Sequence, residues 1–118
     1  MPITIEDQTA NVWRLRVSGV LRKSEVEAVQ ASALKSFEQA GAFKMLILLD
    51  QFAGWASGED WGDVSFYFFH GDKITKIAIV GDRKWETQIL MFLGAGLRRA
   101  PVKFFPDGQA VQARIWLE

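Results

Sequence analysis

Five consecutive aliphatic residues, Met45-Leu46-Ile47-Leu48-Leu49, constrain this chain more than any other stretch. Neighbouring side chains of a strand point to opposite faces of the sheet, so an unbroken apolar run needs cover on both sides. Helices supply such cover, and a central parallel strand is the expected setting, with Asp50 closing it. A second apolar strand is expected over Ile74 to Val80, ending at Gly81-Asp82, and a short edge strand over Val102 to Phe105. At the amino end Ile3 and Ile5 alternate with polar residues. Val12, Trp13, Leu15 and Val17 follow the turn-prone Thr9-Ala10-Asn11, which reads as a hairpin.

Helical signals fall between these strands. Ser24-Glu25-Val26-Glu27 has the form of a capping box, and Val26, Val29, Ala33, Phe37 and Ala40 make one apolar face that ends at Gly41. A second helix is expected from the Ser57-Gly58-Glu59-Asp60 cap to about His70, with Glu59, Asp60 and Asp63 at its positive end. A third, capped by Asp82, runs from about Lys84 to Leu97 and stops before Pro101. After the turn Pro106-Asp107-Gly108 comes a last helix with Ala110, Val111, Ile115 and Trp116 on its buried side. The order predicts an α/β fold: a mixed sheet with a parallel core, a starting hairpin and about four helices. At 118 residues it is expected to form one domain, 1–118. Ligands of open sheets favour the carboxyl ends of the parallel strands, the side on which the loop carrying Trp55 is expected.

Seven of the fifteen aromatic residues lie between Phe52 and Phe69, and four of them, Phe66, Tyr67, Phe68 and Phe69, are consecutive. In a helix these four point about 100° apart, so at least one ring leaves the core face. Ile89-Leu90-Met91-Phe92-Leu93 likewise spreads beyond one face. Scattered apolar residues on a surface are ordinary, and the rings could simply fill the core. Two neighbouring helices with excess apolar surface at the ligand edge could instead wall a groove. Each large side chain withdrawn from water on binding contributes roughly 1.5 to 3 kcal/mol before ordering costs. The expected binding surface is Trp55, Trp61, Phe68, Met91 and Phe92.

Charge narrows the partners. Fourteen basic residues balance fourteen acidic ones, so no overall field draws the chain to nucleic acid. Arg83, Lys84, Arg98 and Arg99 flank the third helix; they either solvate it or, beside the apolar helices, meet an anionic head group. His70 is the sole histidine and lacks a second ligand for a metal, so no metal and no cofactor are expected. Asp50 and Asp82, each at the end of a parallel strand, read as turn caps before they read as a catalytic pair. Asp50, His70, Arg83, Lys84 and Arg98 are the candidate polar contacts. There is no cysteine, and Met1 to Asp7 is not a basic segment followed by an apolar one. No run is long enough to span a bilayer, so a cytoplasmic chain is expected, with peripheral membrane contact open to it.

Leu48-Leu49-Asp50, Phe52, Gly54-Trp55, Trp61, Asp63, His70, Ile77-Ala78-Ile79-Val80-Gly81-Asp82, Trp85, Phe104-Phe105, Ala113 and Trp116-Leu117 together resemble bacterial SpoIIAA-like proteins. The resemblance implies a STAS-type fold, related to anti-sigma factor antagonists and likened to lipid-binding CRAL-TRIO domains, and it implies no established reaction. The phosphorylation switch of the wider STAS group uses an aspartate-serine pair; the corresponding stretch here, Ala56-Ser57-Gly58-Glu59, lacks it. The leading expectation is non-enzymatic binding of an apolar or amphipathic, lipid-like ligand, or reversible membrane association, through the second and third helices. The alternative is a protein-interaction module acting as a homodimer or on a partner protein. A hydrolase or transferase using Asp50, His70 or Asp82 comes last.

Overall fold

The computed structural model describes residues 3–7, 11–59, 61, 73–95 and 100–118. Five strands form one sheet in sequence order: β1 (Ile3–Asp7), β2 (Val12–Leu21), β3 (Phe43–Trp55), β4 (Ile74–Gly81) and β5 (Val102–Pro106). β1 and β2 are the expected antiparallel hairpin, with Ile3 opposite Val17 and Ile5 opposite Leu15. The remaining pairs are parallel, so the sheet is mixed with a parallel core. Among the described residues there are three α-helices, α1 (Lys23–Ala40), α2 (Glu86–Phe92) and α3 (Ala110–Leu117), and a 3-10 turn at Arg83–Trp85. The helix expected to end near His70 lies outside the described residues.

The sheet divides the core in two, as the unbroken apolar run of β3 demands. On one face Met45, Ile47 and Leu49 pack with Trp13, Leu15 and Ile77 against Ala33 and Phe37 of α1 and Ile89 of α2. On the other, Leu46, Leu48, Ala78 and Val80 meet Ala113 and Leu117 of α3. The outer edge of this second face, beyond α3, is polar. Arg16 donates from Nε to Glu6 at 2.9 Å and lies 3.2 Å from Asp50, tying β1, β2 and β3 together. The hydrogen bond from Arg16, with the charges of Arg16 and Arg14, holds the Glu6 carboxyl below its usual value, and Glu6 in turn raises Arg16.

Four expectations are corrected. Asp50 does not close β3; Gln51 takes up a positive φ of 55° and the strand continues to Trp55. Ser24 does not cap α1, which begins at Lys23, two residues before a Ser24 cap would start it, with Arg22 at the cap position; Glu59 accepts from the Lys23 amide. The helix expected to run to Leu97 stops at Phe92. Gly94 N–H donates to Met91 O and Ala95 N–H to Leu90 O, a terminating motif whose left-handed position is filled by Gly94 at φ 72°. Finally, α3 buries Ala113 and Leu117, with Trp116 partly covered, while Ala110 is exposed and Val111 and Ile115 are 69% and 60% exposed. Lys44 and Lys76 fix that orientation by donating to the carbonyls of Glu118 and Trp116 at the helix end.

Candidate functional site

At the carboxyl edge of the parallel strands five aromatic side chains converge from three stretches of chain. β3 contributes Phe52 and Trp55, whose ring centroids lie 5.1 Å apart edge to face. The 3-10 turn after β4 contributes Trp85, at 4.9 Å from Phe52 and 6.2 Å from Trp55. Phe92, at the end of α2, packs against Trp55 at 5.4 Å and against Trp61 at 5.7 Å. Tilted and edge-to-face pairs of this kind add about 0.5 to 1.5 kcal/mol each beyond burial, which holds the rings together as a platform in the free chain. Gly54 permits it: a Cβ there would stand 3.3 Å from the Trp85 ring.

Local chemistry sets each member. Asp82 accepts from the Lys84 amide at 2.9 Å and starts the turn that carries Trp85, the cap expected of it. Trp61 donates from Nε1 to Ala56 O at 2.9 Å. Trp55 Nε1 is buried and has no acceptor among the described residues. Inward of the platform lies a cavity of about 90 Å³ lined by apolar side chains, among them Leu21, Val29, Ala33, Ile47 and Phe92, and by Gln30. Outward of Trp85, Gln51, Asp82, Lys84 and Asp107 surround a polar cleft of about 230 Å³.

Three of the expected surface residues, Trp55, Trp61 and Phe92, are thus brought together, half-buried and packed on the core. Met91 stands on the outer side of α2, 75% exposed. Phe68, His70 and Arg98 lie outside the described residues. Asp50 is on the opposite face of the sheet, bound to Arg16. Arg83 pairs with Glu86 at 3.3 Å, and the Lys84 ammonium lies 5.7 Å from the Trp85 ring. Lys76 is engaged by α3, so the described cations do not converge on one head-group site. Asp50 and Asp82 serve different partners and form no pair. No group of three acidic, histidine or cysteine side chains among the described residues could hold a metal, and no described helix is long and apolar enough to cross a membrane. Phe52 and Trp85 are members that the expected surface did not include. Trp85 stands alone in the polar stretch Arg83 to Thr87, where only its position after a strand-ending Gly81-Asp82 marked it.

A mixed sheet with one antiparallel edge strand, a parallel core and helices on both faces is an α/β domain of STAS type. The chain belongs to the SpoIIAA-like family, whose profile matches residues 12–118. Among solved structures it is similar to an uncharacterised protein with a SpoIIAA-like fold from Shewanella loihica PV-4. That pair gives a TM-score of 0.64 at 23% identity, over 98% of this chain and 92% of the other. It is also similar to the anti-sigma factor antagonist SpoIIAA in its unphosphorylated form, with a TM-score of 0.63 at 12% identity over 97% of each chain. At these identities the likeness is one of fold. No curated protein matches the sequence.

Proposed function

We propose that this chain is a non-enzymatic, regulatory protein-interaction module that docks a partner protein on the carboxyl-edge platform, with Met91 as its most exposed apolar contact. The observation that carries this is the pairing of a packed ring cluster with a methionine that is 75% exposed beside it. Aromatic rings and methionine are enriched at protein interfaces, and a platform already packed loses little side-chain freedom on binding. The fold neighbour described as an anti-sigma factor antagonist is named for action on another protein, which favours the same class of partner.

The lipid-like ligand draws on one observation, the apolar cavity. Its volume of about 90 Å³ is below the roughly 150 Å³ of an engineered cavity that admits benzene. Photo-crosslinking in cells tests the docking reading, with p-benzoylphenylalanine at position 91 and, as a control on α3, at position 111. A discrete protein adduct from position 91 alone is expected. Adducts to lipid only, or equal protein adducts from both positions, would overturn it.

A further inference from the structure

The amino end of α1 has no cap of its own: Arg22 precedes it with no side-chain hydrogen bond to it. Its need is met from across the fold. Glu59 accepts from the Lys23 amide through Oε2, while its Oε1 lies 3.4 Å from Arg22 Nη2. The same stretch is pinned a second time, by Ala56 N–H donating to Leu21 O at 2.8 Å. These contacts fasten the segment that follows β3 to the junction of β2 and α1. Beyond the fastening comes Trp61, bonded to Ala56 O and laid against Phe92. Phe92 also touches Trp55, whose indole N–H is buried without an acceptor among the described residues. Opening gives that indole N–H access to water or to a partner's carbonyl.

We infer that Ala56–Glu59 with Trp61 is a strap over the aromatic platform, and that Glu59 is its latch. The latch is strong enough to hold the free protein closed because it joins a carboxylate to a helix amino end and a guanidinium at once. It is weak enough to release, because one partner, Arg22, has a side chain 62% exposed and the contact is screened by water. Opening moves Trp61 off Phe92 and uncovers the Trp55 indole. The opening signal is the docking partner, and to that extent the inference rests on the proposed function; the latch itself does not.

Glu59→Gln keeps the size and removes the charge. Amide exchange followed by NMR on the purified chain reads the strap at three sites: the Lys23 amide, the Ala56 amide and the Trp61 indole. Exchange there is expected to accelerate about tenfold, with Ala78 and Ile79 of β4 unchanged. Arg22→Met should give the same pattern, more weakly. Fluorescence of 1-anilinonaphthalene-8-sulfonate, a probe of uncovered apolar surface, should rise severalfold in Glu59→Gln. Unchanged exchange at the three sites, or equal acceleration throughout β4, would overturn the latch. The test needs no partner, so crosslinking at position 91 and exchange in Glu59→Gln can fail independently.

Discussion

Gly81→Ala tests the packing that holds the platform. Gly81 ends β4 immediately before Asp82, and a Cβ at that position would meet Leu49 Cβ at 2.8 Å, Cδ1 at 2.9 Å and Cγ at 3.1 Å. The nearest of these atoms is fixed to the backbone, so no rotamer change removes the overlap. Leu49 is only 8% exposed and sits in the larger core cluster. β3 and β4 must therefore separate locally, just past the last paired residues, Leu48 and Val80. Overpacking of one methyl costs about 1 to 3 kcal/mol. For a chain of this length that corresponds to a melting temperature lower by roughly 4 to 12 °C. Urea denaturation followed by circular dichroism measures the loss directly. In a Leu49→Ala background the penalty should shrink, because Cγ and Cδ1 are gone, and the coupling should be about 1 kcal/mol. A penalty below about 0.5 kcal/mol, or one independent of residue 49, would refute the close-approach argument.

Phe92→Ser should lower stability by about 2 to 4 kcal/mol because Phe92 bridges two tryptophans, whereas Met91→Asp should leave the melting temperature nearly unchanged and weaken partner binding. Ala113→Leu should destabilise α3 by about 1 to 3 kcal/mol, since Ala113 is fully buried, while Ile115→Ser on the exposed side should cost less than about 0.5 kcal/mol by thermal melting. Asp82→Ala should cost about 1 kcal/mol in a urea titration through the lost cap on Lys84. Glu6 has a folded-state value below its unfolded one, so its tie to Arg16 is complete above the ordinary carboxylate range and is lost as pH falls through the lowered value. Acid titration of Glu6→Gln should show that part of the pH dependence missing.

The elements that depend on near neighbours were legible in the sequence. Met45 to Leu49 announced a doubly covered strand, and Asp82 announced its own cap, because strand alternation and capping act over one to three residues. What depended on distant chain was not. Ser24 and Glu27 have the spacing of a capping box, yet Glu59, 36 residues beyond the Lys23 amide that it meets, occupies the helix end. The bend at Gln51 that lets β3 run on to Trp55 leaves no mark in residue type, since glutamine rarely adopts a positive φ. In α3, Val111 and Ile115 outweigh Ala113 in apolar character, but the fold faces the smaller residue to the sheet, where Ala78 and Leu117 meet it and a larger side chain would not fit. The site divides in the same way. The apolar excess named Trp55, Trp61 and Phe92, which the fold brings together, whereas Trp85 reaches them only because Gly54 has no side chain.

Hydrogen exchange on the purified protein, with and without the protein crosslinked from position 91, tests the docking surface most directly. Slowed exchange over Glu86 to Phe92, with faster exchange at the Ala56 and Lys23 amides as the strap opens and with α3 and the β1–β2 hairpin unchanged, is the predicted footprint. A footprint on α3 or on the face bearing Arg14, Arg16 and Glu6, with the platform untouched, would contradict it.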